Sequence, residues 1–389
     1  MTLQSSLDGV LARAAASGNV PGVVGVVTDR QRHLYEGAFG QRVLGQGAAM
    51  TLDTVGWIAS CTKAITGAAC MQLVERGKLD LDSPAQQWAP RLAECQVLEG
   101  FDSRGQPKTR PPKRPITLRH LLTHTAGFGY EFWNAETARY QAATGTPGII
   151  SCTHAALMQP LLFDPGERWM YGVSIDWVGQ LVQAASGQTL GAYLADHLFG
   201  PLGMRDTAFK LRPDMQARLA KIHQRDDSGA LIPGDLVIEQ SPEVEMAGGG
   251  LYGTVPDYLR FIRMMLNDGQ GEFGRVLKPE TVDRMCRNAM GDLRVTMLPT
   301  QAPPLTNDAE FFPGVPKSWG LSFQINEEPT STGRPAGGLM WAGLSNCYYW
   351  FDRSHGIGGM TMTQVLPFAD HLALPMFYEF ESATYHSLR

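Results

Sequence analysis

The chain has 389 residues, enough for two or three domains or one large composite fold, and 43% of them are hydrophobic against 18% charged, the balance of an ordinary globular protein with a sizeable core. Its formal net charge of −5 offers no basic footprint for nucleic acid. No stretch approaches the ~18 apolar residues of a membrane span.

In chain order, the first stretch, MTLQSSLDGVLARAAASGNVPG, has no positive n-region and no uninterrupted apolar h-region, so it reads as an amphipathic helix rather than a secretory signal. GVVGVVTDRQRHLYEGAFGQRV (22–43) reads as two strands around a polar turn. SCTKAITGAACMQLVERG (60–77) has apolar positions at helical spacing and stops near Gly77. The stretch 102–115, DSRGQPKTRPPKRP, is basic and proline-rich and is expected to be an exposed loop. Between about 80 and 240 the pattern is helical and loop-rich, clearest at 116–124 and 174–204. A further helix is expected at VPDYLRFIRMML (255–266). From about 318 the sequence alternates, and WGLSFQINE, GLMWAGLSNCYYWFD and IGGMTMTQVLP read as antiparallel strands. A closing helix spans 371–388, with Pro375 disturbing its start.

Strands at both ends and helices between them imply an α/β domain built from residues 1–80 and 240–389, with a mostly helical segment, 81–239, inserted and the active site between the two. The six cysteines (61, 70, 95, 152, 286, 347) are scattered without a C-x-x-C pair and are expected to be reduced thiols, which implies a cytoplasmic location.

Ser60 and Lys63 are three residues apart. On a helix that is ~4.5 Å of rise and nearly one turn, so the two side chains share a face. A serine hydroxyl needs a base before it attacks a carbonyl, and S-x-x-K supplies one from the same turn. Two more features follow in order: Tyr171 just ahead of a helix in WMYGVSIDWVG, and the triplet Trp341-Ala342-Gly343 on a late strand in LMWAGLSN. Together with VLEGFDSRGQPK, ITLRHLLTHTAGF, DPGERWMYG and PLGMRDTAFKL, these make the chain resemble the family VIII carboxylesterases, which share the fold of class C β-lactamases and DD-peptidases. It is also similar to the fungal acyltransferase that acylates a statin precursor.

The resemblance spans most of the chain. It implies a β-lactamase/transpeptidase-like fold, an antiparallel sheet flanked by helices with an inserted helical domain. It implies Ser60 as nucleophile, Lys63 as its partner, Tyr171 as the group that moves protons, and an oxyanion hole made by the backbone N–H groups of Ser60 and Leu344. Free Lys and Tyr titrate near ~10.4 and ~10, so bringing either to ~7 costs about 4 kcal/mol. An ammonium beside a phenol favours the phenolate, which makes Tyr171 the expected base, tuned by Lys63. Class C β-lactamases carry Asn two positions after the tyrosine, where this chain has Val173, and Lys-Thr-Gly on the strand, where it has Trp-Ala-Gly. Trp341 replaces the lysine that helps hold a β-lactam carboxylate, which argues for an uncharged ester. Trp341, Ala342, Gly343, Val173 and Tyr130 (in GFGYEFWN) are the expected substrate pocket.

Other motifs weigh less. Cys61 points ~100° away from Ser60 on a helix and is expected to pack. His120 and His124 lie one turn apart, but no Glu stands between them as in H-E-x-x-H and no third ligand is obvious, so a helix-end hydrogen bond is expected and no metal. GGGLYG (248–253) lacks the β-α-β setting of a dinucleotide fingerprint and reads as close backbone packing. There is no G-x-S-x-G elbow. The expected protein is a serine esterase with a small-molecule ester substrate, weak cephalosporin hydrolysis at best, no metal or organic cofactor, and neither nucleic acid nor membrane as partner. The alternative is an acyltransferase with the same residues; behind it stand a dedicated β-lactamase or DD-peptidase and a catalytically silent binding module on the same scaffold.

Overall fold

The computed structural model describes residues 2–388. Its centre is a seven-stranded sheet. Strands β1 (Gly22–Thr28) and β2 (His33–Gly40) come from the N-terminal end, and β3 (Lys317–Trp319), β4 (Gln324–Asn326), β5 (Leu339–Gly343), β6 (Cys347–Asp352) and β7 (Ile357–Met362) from the C-terminal end. The order is β2-β1-β7-β6-β5-β4-β3, antiparallel throughout. β1 is GVVGVVT and fully buried, so it reads as an apolar run without alternation. The two ends of the chain meet where Val24 pairs with Met362 and Val26 with Met360.

Helices cover both faces. α1 (Leu3–Ala16) is capped by Thr2, whose hydroxyl accepts the Ser5 N–H at 3.2 Å, and buries Leu7, Val10, Leu11 and Ala14, an i, i+3, i+4, i+7 stripe. It packs with the closing helix α5 (Ala373–Ser387) over β1, where a Cβ on Gly25 would meet Leu11 and Phe380 at 2.7 and 3.0 Å. Pro375 sits in the first turn of α5, where no N–H is needed, and so disturbs nothing. On the other face lie α2 (Thr62–Glu75) and α4 (Val255–Leu266). α2 is buried from Thr62 to Leu73, all round, as expected of a helix running through a core.

The intervening segment holds α3 (Ser174–Ser186), which packs against α2. The apolar pattern that runs on to Met204 is broken at Gly187, left-handed at φ 75°, and a new helix starts under a Thr189 cap. The proline-rich stretch is not a bare loop. Pro107–Arg110 pairs with Val97–Phe101 as a hairpin, and Arg110 is held by the buried Asp164 at 2.7 and 2.9 Å. All six cysteines are free thiols. Among the described residues no helix is long and apolar enough to cross a membrane.

Candidate active site

Ser60 sits on a single 3-10 turn, Ala59–Cys61, that leads into α2. Ala59 is forced to φ 45°, a left-handed conformation that costs a non-glycine residue roughly 1–3 kcal/mol and marks a site the surroundings over-determine. Lys63, on the first turn of α2, is 1% exposed. Its Nζ lies 2.9 Å from Ser60 Oγ and donates to the Gly248 carbonyl at 2.6 Å. Two further side chains of the same helix tie to the same segment: the Thr66 hydroxyl donates to Ala247 O at 2.7 Å, and Thr62 Oγ1 accepts the Leu251 N–H at 3.1 Å. The start of α2 is thereby locked to 247–251. Burial pulls the Lys63 amine well down from its ordinary range, and the Asp176 carboxylate opposes that pull.

Tyr171 enters from the turn before α3. Its hydroxyl accepts the Trp341 Nε1–H at 3.0 Å, and Ser60 is close enough to act on its titration. Lys63 Nζ sits over the Tyr171 ring, 4.7 Å from its centroid, and 5.3 Å from that of Tyr130. An aromatic wall encloses the phenol: Trp341 at 4.9 Å, His124 at 4.9 Å and Tyr130 at 5.2 Å between ring centroids, with Trp319 edge-on to Trp341 at 4.6 Å. Burial therefore pushes the Tyr171 phenol up, against smaller downward pulls from Ser60 and Trp341. Burial thus acts in the reverse sense to the expected depression of Tyr171 by Lys63: the amine faces the ring of Tyr171 and contacts Ser60 and Gly248 rather than the phenol oxygen. The depressed group is Lys63.

Above Ser60 opens a narrow cleft. Trp57, Tyr130, Phe132, Trp133, Ile149, Met246, Trp341 and Phe368 are among its lining, and among the described residues no Asp, Glu, Lys, Arg or His is. A family model described as Beta-lactamase matches residues 7–378. The chain belongs to the beta-lactamase family.

Within that family it is 34% identical over 382 residues to the lovastatin esterase of Penicillium rubens, covering 93% of each chain. It is 32% identical over 396 residues to the monacolin J acid methylbutanoyltransferase of Aspergillus terreus, covering 97% of this chain and 95% of that one. Among solved structures it superposes on unliganded simvastatin synthase (LovD) from Aspergillus terreus with a TM-score of 0.86 at 29% identity, 98% of each chain covered. EstCE1, a hydrolase with promiscuous acyltransferase activity, shares the fold at a TM-score of 0.76 and 21% identity, again over 98% of each chain.

Of the residues singled out by sequence in this beta-lactamase-family chain, Ser60, Lys63, Tyr171, Tyr130, Trp341, Ala342 and Leu344 converge on the cleft. Val173 does not line it: it is fully buried at the N-terminus of α3. Gly343 does not line it either. A Cβ there would lie 2.3 Å from Ile58 O and 3.3 Å from Ala59 Cβ, so the glycine lets β5 close on the Ser60 turn and brings the Leu344 backbone beside it. Cys61 faces away, its Sγ 3.9 Å from Cys347 O, and burial pushes its thiol up. His120 and His124 part company. His120 Nδ1 accepts the Thr117 N–H at 3.2 Å in a capping box, whereas His124 is buried beside Tyr171 with neither ring nitrogen hydrogen-bonded and is held neutral by burial and by Lys63.

Sequence reasoning missed Asp176 and Gly248. A carboxylate on the apolar stripe of α3, five residues after Tyr171, and the first glycine of GGGLYG were the signals available.

Proposed function

We propose that the protein is a serine esterase of the family VIII carboxylesterase type that hydrolyses small uncharged esters through a Ser60 acyl-enzyme. The observation that carries this reading is the 2.9 Å contact between a buried, depressed lysine and a serine at the floor of an uncharged aromatic cleft. The Gly248 carbonyl takes one Nζ hydrogen, which turns the lone pair of the neutral amine toward Ser60. Lys63 then accepts the Ser60 proton as Oγ bonds to the ester carbonyl. The oxyanion is received by the Ser60 and Leu344 N–H groups. As the tetrahedral adduct collapses, Tyr171 gives its proton to the departing alkoxide and regains one from the Lys63 ammonium, so no net charge is left behind. Because Trp341 N–H donates to the Tyr171 oxygen, the phenol's own proton is directed elsewhere, toward Ser60. Water repeats the sequence on the acyl-enzyme.

A second reading, transfer of the acyl group to an alcohol or amine, is favoured by the names of the relatives and by an apolar lining that binds water poorly. It uses the same residues. Weak turnover of some cephalosporins and a cytoplasmic location belong to the same proposal, as does a substrate drawn from small molecules rather than nucleic acid or membrane. The test is the rate on p-nitrophenyl esters of increasing chain length with nitrocefin alongside, followed by product analysis with a competing alcohol. Failure of a fluorophosphonate to label Ser60 would return the chain to a silent binding module.

A further inference from the structure

Asp176 takes no part in the steps above, yet it is fully buried. Its Oδ1 accepts the Gly248 N–H at 2.8 Å, and the Tyr130 hydroxyl approaches Oδ2 at 3.5 Å. The same Gly248 presents its carbonyl to Lys63 Nζ at 2.6 Å. A side chain at 248 is excluded, since its Cβ would lie 2.6 Å from Asp176 Oδ2 and 3.1 Å from the Tyr130 oxygen. One glycine thus bridges a buried acid and a buried amine that make no direct ion pair among the described residues.

We propose that Asp176 is the positioning residue of the Lys63 base: its carboxylate fixes the Gly248 backbone that aims Nζ at Ser60, and supplies the negative charge against which the Lys63 ammonium forms. The proposal rests on the reading of Lys63 as the base. When Ser60 gives up its proton, a cation appears on a side chain with almost no access to water, which is costly without a counter-charge. The titratable groups that face Lys63 are Asp176, Cys61, Tyr130, Tyr171 and His124. Burial raises Cys61, Tyr130 and Tyr171 and lowers His124, so all four stay uncharged at neutral pH. Asp176 is the one carboxylic acid of the set; burial raises it to about 6, which leaves it mostly ionised at neutral pH. It is faced in turn by Lys63, Tyr130, Tyr171 and the thiol of Cys152, none of them an anion at neutral pH. The arrangement gives Lys63 what an orienting carboxylate gives a catalytic histidine, delivered through a backbone bridge.

Asp176→Asn separates this role from packing, because the amide oxygen can still accept the Gly248 N–H while the charge is gone. An anion favours the ammonium, so its removal lowers Lys63 further. The acid limb of kcat/KM on a short p-nitrophenyl ester should move to lower pH by about one unit, and the plateau kcat should fall about tenfold. A merely structural role would lower the amplitude and leave the limb in place, and an unmoved limb overturns the proposal. Thermal melts of Lys63→Met, Asp176→Asn and the double variant give a readout without turnover. Each single change strands a polar partner, so each should melt below the wild type and the double should melt above the lower single. Additive losses overturn the pairing, and if Asp176→Asn alone fails to fold, continued failure of the double does the same. Absence of wild-type ester turnover is a failure of the esterase reading, seen before any variant is made.

Discussion

Beneath Ser60 the polar groups are tied in pairs: Lys63 to Ser60 and Gly248, Thr66 to Ala247, Thr62 to Leu251, Asp176 to Gly248. Across the cleft the aromatic wall has the opposite character. His124 and Trp169 bury ring nitrogens with no partner, and the hydrogen bond that faces the chemistry is the one from Trp341 to Tyr171. The floor sets direction, holding the Lys63 amine between Ser60 and Gly248. The wall sets the medium, since a dry, apolar surround makes every charge on the floor count for more. It also selects, because a charged substrate would meet no partner there.

The floor is where damage should be greatest. Ser60→Ala should cost about 10⁶-fold in kcat on a short ester, as loss of a nucleophile does in a coupled set. Cys61→Ala, one residue along and pointing into the core, should keep most activity. A dead but well-folded Cys61→Ala would break the assignment. Next come Lys63→Ala and Tyr171→Phe, each expected to lose about 10²–10⁴-fold, mainly in kcat. If the lysine and the tyrosine hand on one proton, the double variant should be little worse than either single one. Multiplying losses would mean separate jobs. In the wild type, kcat/KM should rise with pH as the depressed Lys63 sheds its proton, because the free amine is the active form.

This asymmetry between floor and wall also explains what the sequence could and could not disclose. Ser60 and Lys63 are legible because their relation is local, three residues on one turn. Tyr171 and Trp341 are legible only through their order in the chain and a family resemblance, since 170 residues separate the two atoms that meet. Asp176 escaped because an acid on a helix reads as a solvated face until tertiary packing buries it. The direction of the pKa shifts escaped for the same reason: a lysine near a tyrosine suggests a lowered phenol, but the decisive fact is that the amine lies over the ring and the oxygen is walled in by aromatics. The sheet was read correctly from short strand-like segments at the two ends, although its central strands are apolar runs rather than alternating ones. The Pro107–Arg110 hairpin strand was missed because its anchor, Asp164, is more than fifty residues away.

The wall's selectivity gives a further test. A substrate carboxylate entering this lining finds no cation, and burying such a charge unpaired costs several kcal/mol. Nitrocefin should therefore turn over at a kcat/KM roughly 10²-fold or more below the best short ester. Equal values would show that the cleft holds a carboxylate by some group the lining does not offer.

The smallest effect, and the one that separates wall from floor most finely, is expected of Trp341→Phe. The substitution keeps an aromatic ring against Tyr171 and removes the Nε1–H that donates to the phenol at 3.0 Å. One neutral hydrogen bond is worth about 0.5–1.5 kcal/mol, so kcat should fall roughly 2- to 10-fold. The loss belongs in kcat, because the bond directs the proton that Tyr171 gives to the departing alkoxide in the transition state. A change confined to KM, with kcat untouched, would reduce Trp341 to apolar surface and leave the orientation of Tyr171 to the floor alone.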